Sequence, residues 1–161
     1  MPRHLLLDGL VVEDGWRELG EDPLPQAGAW IIGFERWQRE RSDFVARGGL
    51  LGVKLEAAHR VEDLAPDLPL LSLVAANFPG PSDGRGYTQA RLLRERHGFK
   101  GEVRACGYVR RDQVFFLARC GFNALELPTA ELATAEQGFR TFSAAYQPSN
   151  DAGLPARLLR R

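Results

Sequence analysis

Five short apolar runs recur along an otherwise polar chain: Ala29 to Gly33, Leu50 to Leu55, Leu70 to Ala76, Glu102 to Cys106 and Asn123 to Leu127. Runs of this length, bounded by glycine, proline and charged residues, predict buried strands. Between them lie polar segments with apolar residues at helical spacing. Glu35 to Arg47 carries Trp37, Phe44 and Val45, and Gly48-Gly49 ends it. Val61 to Leu64 predicts a short helix before Pro66. Tyr87 to His97 predicts a helix stopped by Gly98, and Asp112 to Cys120 one stopped by Gly121, since glycine just past the last turn is a usual terminator. Asp112 stands where a cap is expected. Thr129 to Tyr146 predicts the last helix.

Strand alternating with helix implies right-handed crossovers and a mainly parallel sheet in an α/β fold. Five such strands are too few for an eight-stranded barrel. An open sheet or a barrel-like half is expected, its strand order undetermined. Ahead of this core, Leu5-Leu6-Leu7 and Leu10-Val11-Val12 flank Asp8-Gly9, a hairpin signal. Gly20 to Pro25 then breaks structure. The expected organisation is an N-terminal ribbon and linker over residues 1–28, an α/β core over 29–146, and a frayed polar tail over 147–161.

The chain has 161 residues, enough for one domain with a sizeable core, and a formal net charge of zero. The balance hides an asymmetry. Asp8 to Asp67 holds 13 acidic and 7 basic residues, whereas Asp83 to Arg119 holds 9 basic and 4 acidic. The basic third is suited to an anion or an acidic partner, or equally to solvated helix faces. Nothing global points to nucleic acid. No run approaches the roughly 20 apolar residues of a membrane helix, and the start lacks a signal-peptide pattern. A cytoplasmic location is expected.

Chemistry is sparse. Cys106 and Cys120 are the two cysteines, with no CxxC pair and no zinc spacing. Two thiols cannot ligate an iron–sulfur cluster alone. Their positions at opposite ends of strand–helix units argue against a mutual disulfide. No Ser-His-Asp pattern is legible. Two loops before helices stand out. Asn77 to Thr88 contains Asp83, Gly84, Arg85 and Gly86, where glycines permit close approach and Arg85 offers charge. Cys106 to Asp112 contains Arg110 and Arg111. In parallel α/β folds such loops meet at the carboxyl ends of strands, where ligands bind. These six residues are the candidate anion- or partner-binding site. The same residues also suit a tight turn with surface arginines.

Asp83-Gly84-Arg85-Gly86-Tyr87-Thr88-Gln89-Ala90-Arg91, then Gly98-Phe99-Lys100-Gly101-Glu102-Val103-Arg104-Ala105, Arg111-Asp112-Gln113 and Arg119-Cys120-Gly121-Phe122-Asn123 together resemble a bacterial family, domain-of-unknown-function family 934. The similarity runs from about Trp30 onward and is densest from Asp83 to Asn123. At Tyr108 the chain departs from the family pattern, which often carries Asp there. Members are labelled oxidoreductases of sulfite reduction, a label resting on gene neighbourhood with assimilatory sulfite reductase. The resemblance thus implies an accessory role beside the sirohaem-containing haem subunit of that reductase. It brings no catalytic residues and no defined cofactor. The residues alone leave an alternative open: a small enzyme or sensor for an oxyanion metabolite.

Overall fold

The computed structural model describes residues 3–142. Among these residues eight strands form one sheet. The five expected apolar runs supply β4 (Ala29–Gly33), β5 (Leu50–Leu55), β6 (Leu73–Phe78), β7 (Glu102–Gly107) and β8 (Ala124–Leu125). The N-terminal region supplies three more: β1 (His4–Leu7), β2 (Leu10–Glu13) and β3 (Arg17–Leu19). The order is β2-β1-β8-β7-β6-β5-β4-β3. β3 to β8 run parallel to one another, while β1 is antiparallel to both β2 and β8.

The sheet is therefore mixed, not the mainly parallel sheet expected. The N-terminal ribbon does not simply pack on the core: it extends the sheet, with Leu6 opposite Leu125 and Leu7 opposite Ala124. The hairpin turns as its Asp-Gly pair demands, with positive φ at Asp8 (51°) and Gly9 (82°). β3 had no periodic signal, being three residues long with one buried side chain. The expected tail from 147 lies outside the described residues.

One connection dictates the curvature. β2 and β3 are the two opposite edges of the sheet, yet only Asp14-Gly15-Trp16 separates them. Four residue steps reach about 14 Å at full extension. Eight flat strands at ~4.8 Å spacing would set the edges roughly 33 Å apart. The sheet must curl until its edges approach each other, and it forms a strongly curled half-barrel.

The helices cover the convex side, as right-handed crossovers between sequential neighbours require. They are α1 (Phe34–Arg47), α2 (Val61–Leu64), α3 (Arg85–Arg91), α4 (Val114–Cys120) and α5 (Thr129–Phe142). α3 continues into a π-helical turn at Leu92–Arg96. Between helices and sheet lies the main core, with Trp37, Phe44, Val53, Leu64, Val74, Phe78, Leu93, Leu117, Phe122 and Phe139 buried. Trp37 donates to Asp67 (2.9 Å), which also holds Arg41, so its indole N–H is satisfied inside.

The concave side has its own small core of Ile31, Leu73, Ala75 and Cys106, with Trp16 packed on it from the edge-to-edge connection. Among the described residues no helix is long and apolar enough to cross a membrane.

Candidate functional site

The two arginine-bearing loops leave adjacent parallel strands, β6 and β7, and so share one end of the sheet. In the first, Arg85 turns back on Asp83. Its Nε and Nη2 donate to the carboxylate at 3.0 and 2.6 Å, and its backbone N–H donates at 3.1 Å. These hydrogen bonds hold the half-buried Asp83 carboxyl down at about 2. In the second, Arg110 pairs with Glu131 of α5 at 2.7 Å, and the backbone N–H of Arg111 donates to the same carboxylate at 2.8 Å. Thus Arg85 and Arg110 each lie against a carboxylate of the protein, and both side chains remain at least half exposed.

The loops are tied together by Tyr87, whose hydroxyl accepts from Gln113 (3.1 Å) and whose ring lies 4.8 Å from that of Phe116. Phe116 is 51% exposed, and Tyr108 is exposed on the loop before α4. Asp112 is not the cap expected. It sits inside a 3-10 turn over Arg111–Gln113, where the backbone N–H of Arg110 donates to Gln113 Oε1 at 2.8 Å.

Several glycines of the resemblance serve packing. A Cβ on Gly86 would stand 2.5 Å from Cζ of Phe78. A Cβ on Gly101 would meet the Phe99 ring and the Ser72 carbonyl at 2.5 and 2.6 Å. Gly121 caps α4 with φ 118°, a conformation that disfavours side chains. Around these turns Arg94, on the π-helical turn, acts as a bracket. It donates to the carbonyls of Gly121 (2.9 Å), Phe99 (2.7 Å) and Gly101 (2.8 Å) and to Asn123 Oδ1 (3.2 Å). Asn123 Oδ1 also accepts from the Val103 N–H. Much of the Asp83–Asn123 pattern therefore encodes how β7, the π turn and the α4 terminus fit together.

The concave side and its carboxyl-terminal rim hold polar groups that the sequence reading did not single out. Arg104 is 1% exposed and meets three carboxylates: Asp14 (2.9 and 3.0 Å), Glu102 (2.8 Å) and Glu126 (3.1 Å). Further along the rim, Lys54 donates to Glu18 at 2.9 Å. Burial alone would lower the Lys54 ammonium, but the hydrogen bond and charge of Glu18, aided by the nearby Glu56, outweigh burial and raise it. Asn77 donates to Glu56 at 2.6 Å. His59 accepts the Glu56 backbone N–H on Nδ1 (2.9 Å), so a neutral ring must carry its proton on Nε2, which lies 3.8 Å from Glu35. Only strand alternation could have flagged Lys54 and Arg104: each is a charged residue at an inward position of a strand.

Neither cysteine takes part in a disulfide, and both are buried. Burial pushes the Cys106 thiol up to about 12. Among the described residues no three metal-ligating side chains come together. A family model described as a bacterial protein of unknown function (DUF934) matches residues 52–157. No curated protein matches the chain.

Proposed function

Because this chain belongs to the bacterial family of unknown function DUF934, we propose that it is an accessory protein of assimilatory sulfite reduction that docks on the sirohaem-containing reductase. The place in sulfite reduction comes from what the family resemblance implies. The docking role is supported by one surface. At the carboxyl end of β6 and β7, exposed Phe116 in the first turn of α4 stands on Tyr87, and exposed Tyr108 lies on the connection that leads into that helix. Arg85, Arg110 and Arg111 carry exposed charge on the flanking loops. Aromatic residues and arginine are the residue types that dominate binding hot spots. A large aromatic ring half exposed on a folded helix also stabilises nothing by staying wet.

On this reading Phe116 and Tyr108 form the apolar centre. Asp83, Gly84 and Gly86 shape the loop that presents Arg85, and the three arginines steer an acidic partner surface. The test is co-purification of the chain with the reductase haem subunit across a salt series. The complex should form at low salt, weaken as salt screens the arginines, and disappear with Phe116→Asp while the fold persists. Absence of any complex at low salt overturns the proposal.

A further inference from the structure

At the carboxyl ends of β3, β4 and β5, remote in sequence from the arginine-bearing loops, lies a cleft of about 260 Å³. Its wall includes Gly33, Glu35, Arg39, Lys54, Glu56 and His59 over a floor of Leu19 and Phe34. Ligands of parallel α/β sheets gather at this end of the strands. The volume lies below the ~300–1,000 Å³ usual for drug-sized ligands, so the occupant must be small.

Gly33 marks the cleft as kept open. Its backbone is ordinary extended chain (φ −60°, ψ 142°), which every residue type adopts. A Cβ there would touch nothing within 4 Å. Neither conformation nor packing therefore calls for glycine. As the residue preceding α1, the position would favour Asn, Asp or Ser, yet α1 has no side-chain cap. Gly33 pairs in register with Lys54, so the missing side chain leaves space directly beside the lysine on the same face of the sheet.

The polar groups around that space present both signs of charge. Glu35 and Arg39 are one helical turn apart on α1 and both face the cleft. Arg39 is held only loosely, by Glu21 at 3.6 Å. Lys54 uses one donor on Glu18, and an ammonium has three. At the other side His59 packs its ring 4.8 Å from that of Phe34 and carries its Nε2 proton near Glu35. Glu56 is anchored through one oxygen by Asn77.

We propose that this cleft binds a small zwitterion of α-amino-acid size, its carboxylate on Lys54 and Arg39 and its ammonium on Glu35 and Glu56. A simple anion would face the carboxylates of Glu21, Glu35 and Glu56, and a simple cation would face Lys54, Arg36 and Arg39. Only a ligand carrying both charges satisfies the whole rim. The inference is independent of the docking proposal and uses none of its residues.

The test screens the full chain against the α-amino acids by thermal shift and calorimetry, alongside deaminated acids and decarboxylated amines of the same skeletons. At least one amino acid should stabilise the protein, because a ligand bound to the folded state raises its stability. Its two single-charge analogues should bind about tenfold or more weakly. Gly33→Asn fills the space and supplies a helix cap, so it should keep or raise the unliganded melting temperature while losing the ligand shift. Lys54→Met should weaken binding by about tenfold or more as a second, non-steric variant. The proposal is overturned if no amino acid binds, if a deaminated acid binds equally well, or if Gly33→Asn retains full affinity.

Discussion

Arg104 and Asp14 stand ninety residues apart in the chain and meet in a two-pronged ion pair, Nη1 to Oδ2 at 2.9 Å and Nη2 to Oδ1 at 3.0 Å. Both side chains are at most 2% exposed. Asp14 belongs to the short connection that joins the two edges of the sheet, and Arg104 sits at the middle of β7. The pair therefore fastens that connection to the floor of the half-barrel. Asp14 is held on its other side by the Trp16 N–H (3.0 Å) and by Arg3 (2.9 Å).

Truncating the arginine should be severe. Arg104→Met leaves the buried Asp14 without its main partner and strips Glu102 and Glu126 of theirs. Loss of one member of a buried pair costs about 3–5 kcal/mol, and urea unfolding of the variant should show a loss of that order. Glu102→Gln should cost much less, because Arg104 keeps Asp14 and Glu126.

Acid should act through the same cluster, with two opposed signs. Burial pushes Asp14 up, but the hydrogen bond from Arg104, helped by the Trp16 N–H, outweighs it and leaves the carboxyl below its ordinary 3.8. Its stabilisation is complete above that value and is lost as pH falls through the lowered native one. Burial holds Glu102 above its ordinary 4.5 despite Arg104. Its charged form therefore costs stability as pH rises from 4.5 through the raised native value. Urea midpoints measured from about pH 3 to pH 7 should show Asp14→Asn flattening the fall below the ordinary Asp value. Glu102→Gln should remove a loss just above the ordinary Glu value. Identical pH profiles for Asp14→Asn and the parent would contradict this assignment.

Arg94 should prove structural. Arg94→Met deprives three carbonyls and the Asn123 side chain of one shared donor, and unmet buried acceptors cost about 1–3 kcal/mol each. A destabilisation of about 3 kcal/mol or more is expected, given that such effects are not fully additive. Arg94→Lys should recover only part of it, because an ammonium cannot span acceptors that a planar guanidinium reaches together. Denaturant melts of the two variants decide the point.

The thiols should be silent in the native state. Reactivity needs thiolate, and burial keeps Cys106 at about 12. Cys120 is raised as well, again chiefly by burial. A disulfide-exchange reagent at neutral pH should label neither at an appreciable rate until denaturant is added. Rapid labelling of Cys106 in the folded protein would show that the concave side opens readily.

Much of the scaffold was legible in the chain. The runs around Ile31, Val53, Val74, Val103 and Leu125 became strands. Gly48, Gly98 and Gly121 ended helical segments, and Asp8-Gly9 turned a hairpin. Those features are local: each depends on side-chain period or on a backbone conformation that glycine reaches easily. The last expected strand contracted to Ala124–Leu125, and β6 began at Leu73, three residues later than the run suggested. Apolar character marks burial, whereas strand limits depend on which neighbours offer hydrogen bonds.

The candidate site was legible in part. The two loops do share one end of the sheet, because parallel strands send their following loops the same way. The partners of Arg85 and Arg110 could not be read, since Asp83 is two residues from Arg85 but Glu131 reaches Arg110 from another helix. Nor could the cleft be seen, because Gly33, Lys54 and His59 meet only through strand register and loop path.

What the sequence by itself determined is the set of elements, their α/β order and the family pattern from Asp83 to Asn123, all carried by nearby residues. What the tertiary structure alone decided is how the ends join. β1 pairs backwards onto β8, β3 pairs forwards onto β4, and the three residues between the edge strands β2 and β3 pull eight strands into a half-barrel. That closure buries Arg104 against Asp14 and opens the cleft beside Lys54. Such contacts are set by chain geometry and by the cost of leaving buried charge unpaired, neither of which has a signature in a local stretch of residues.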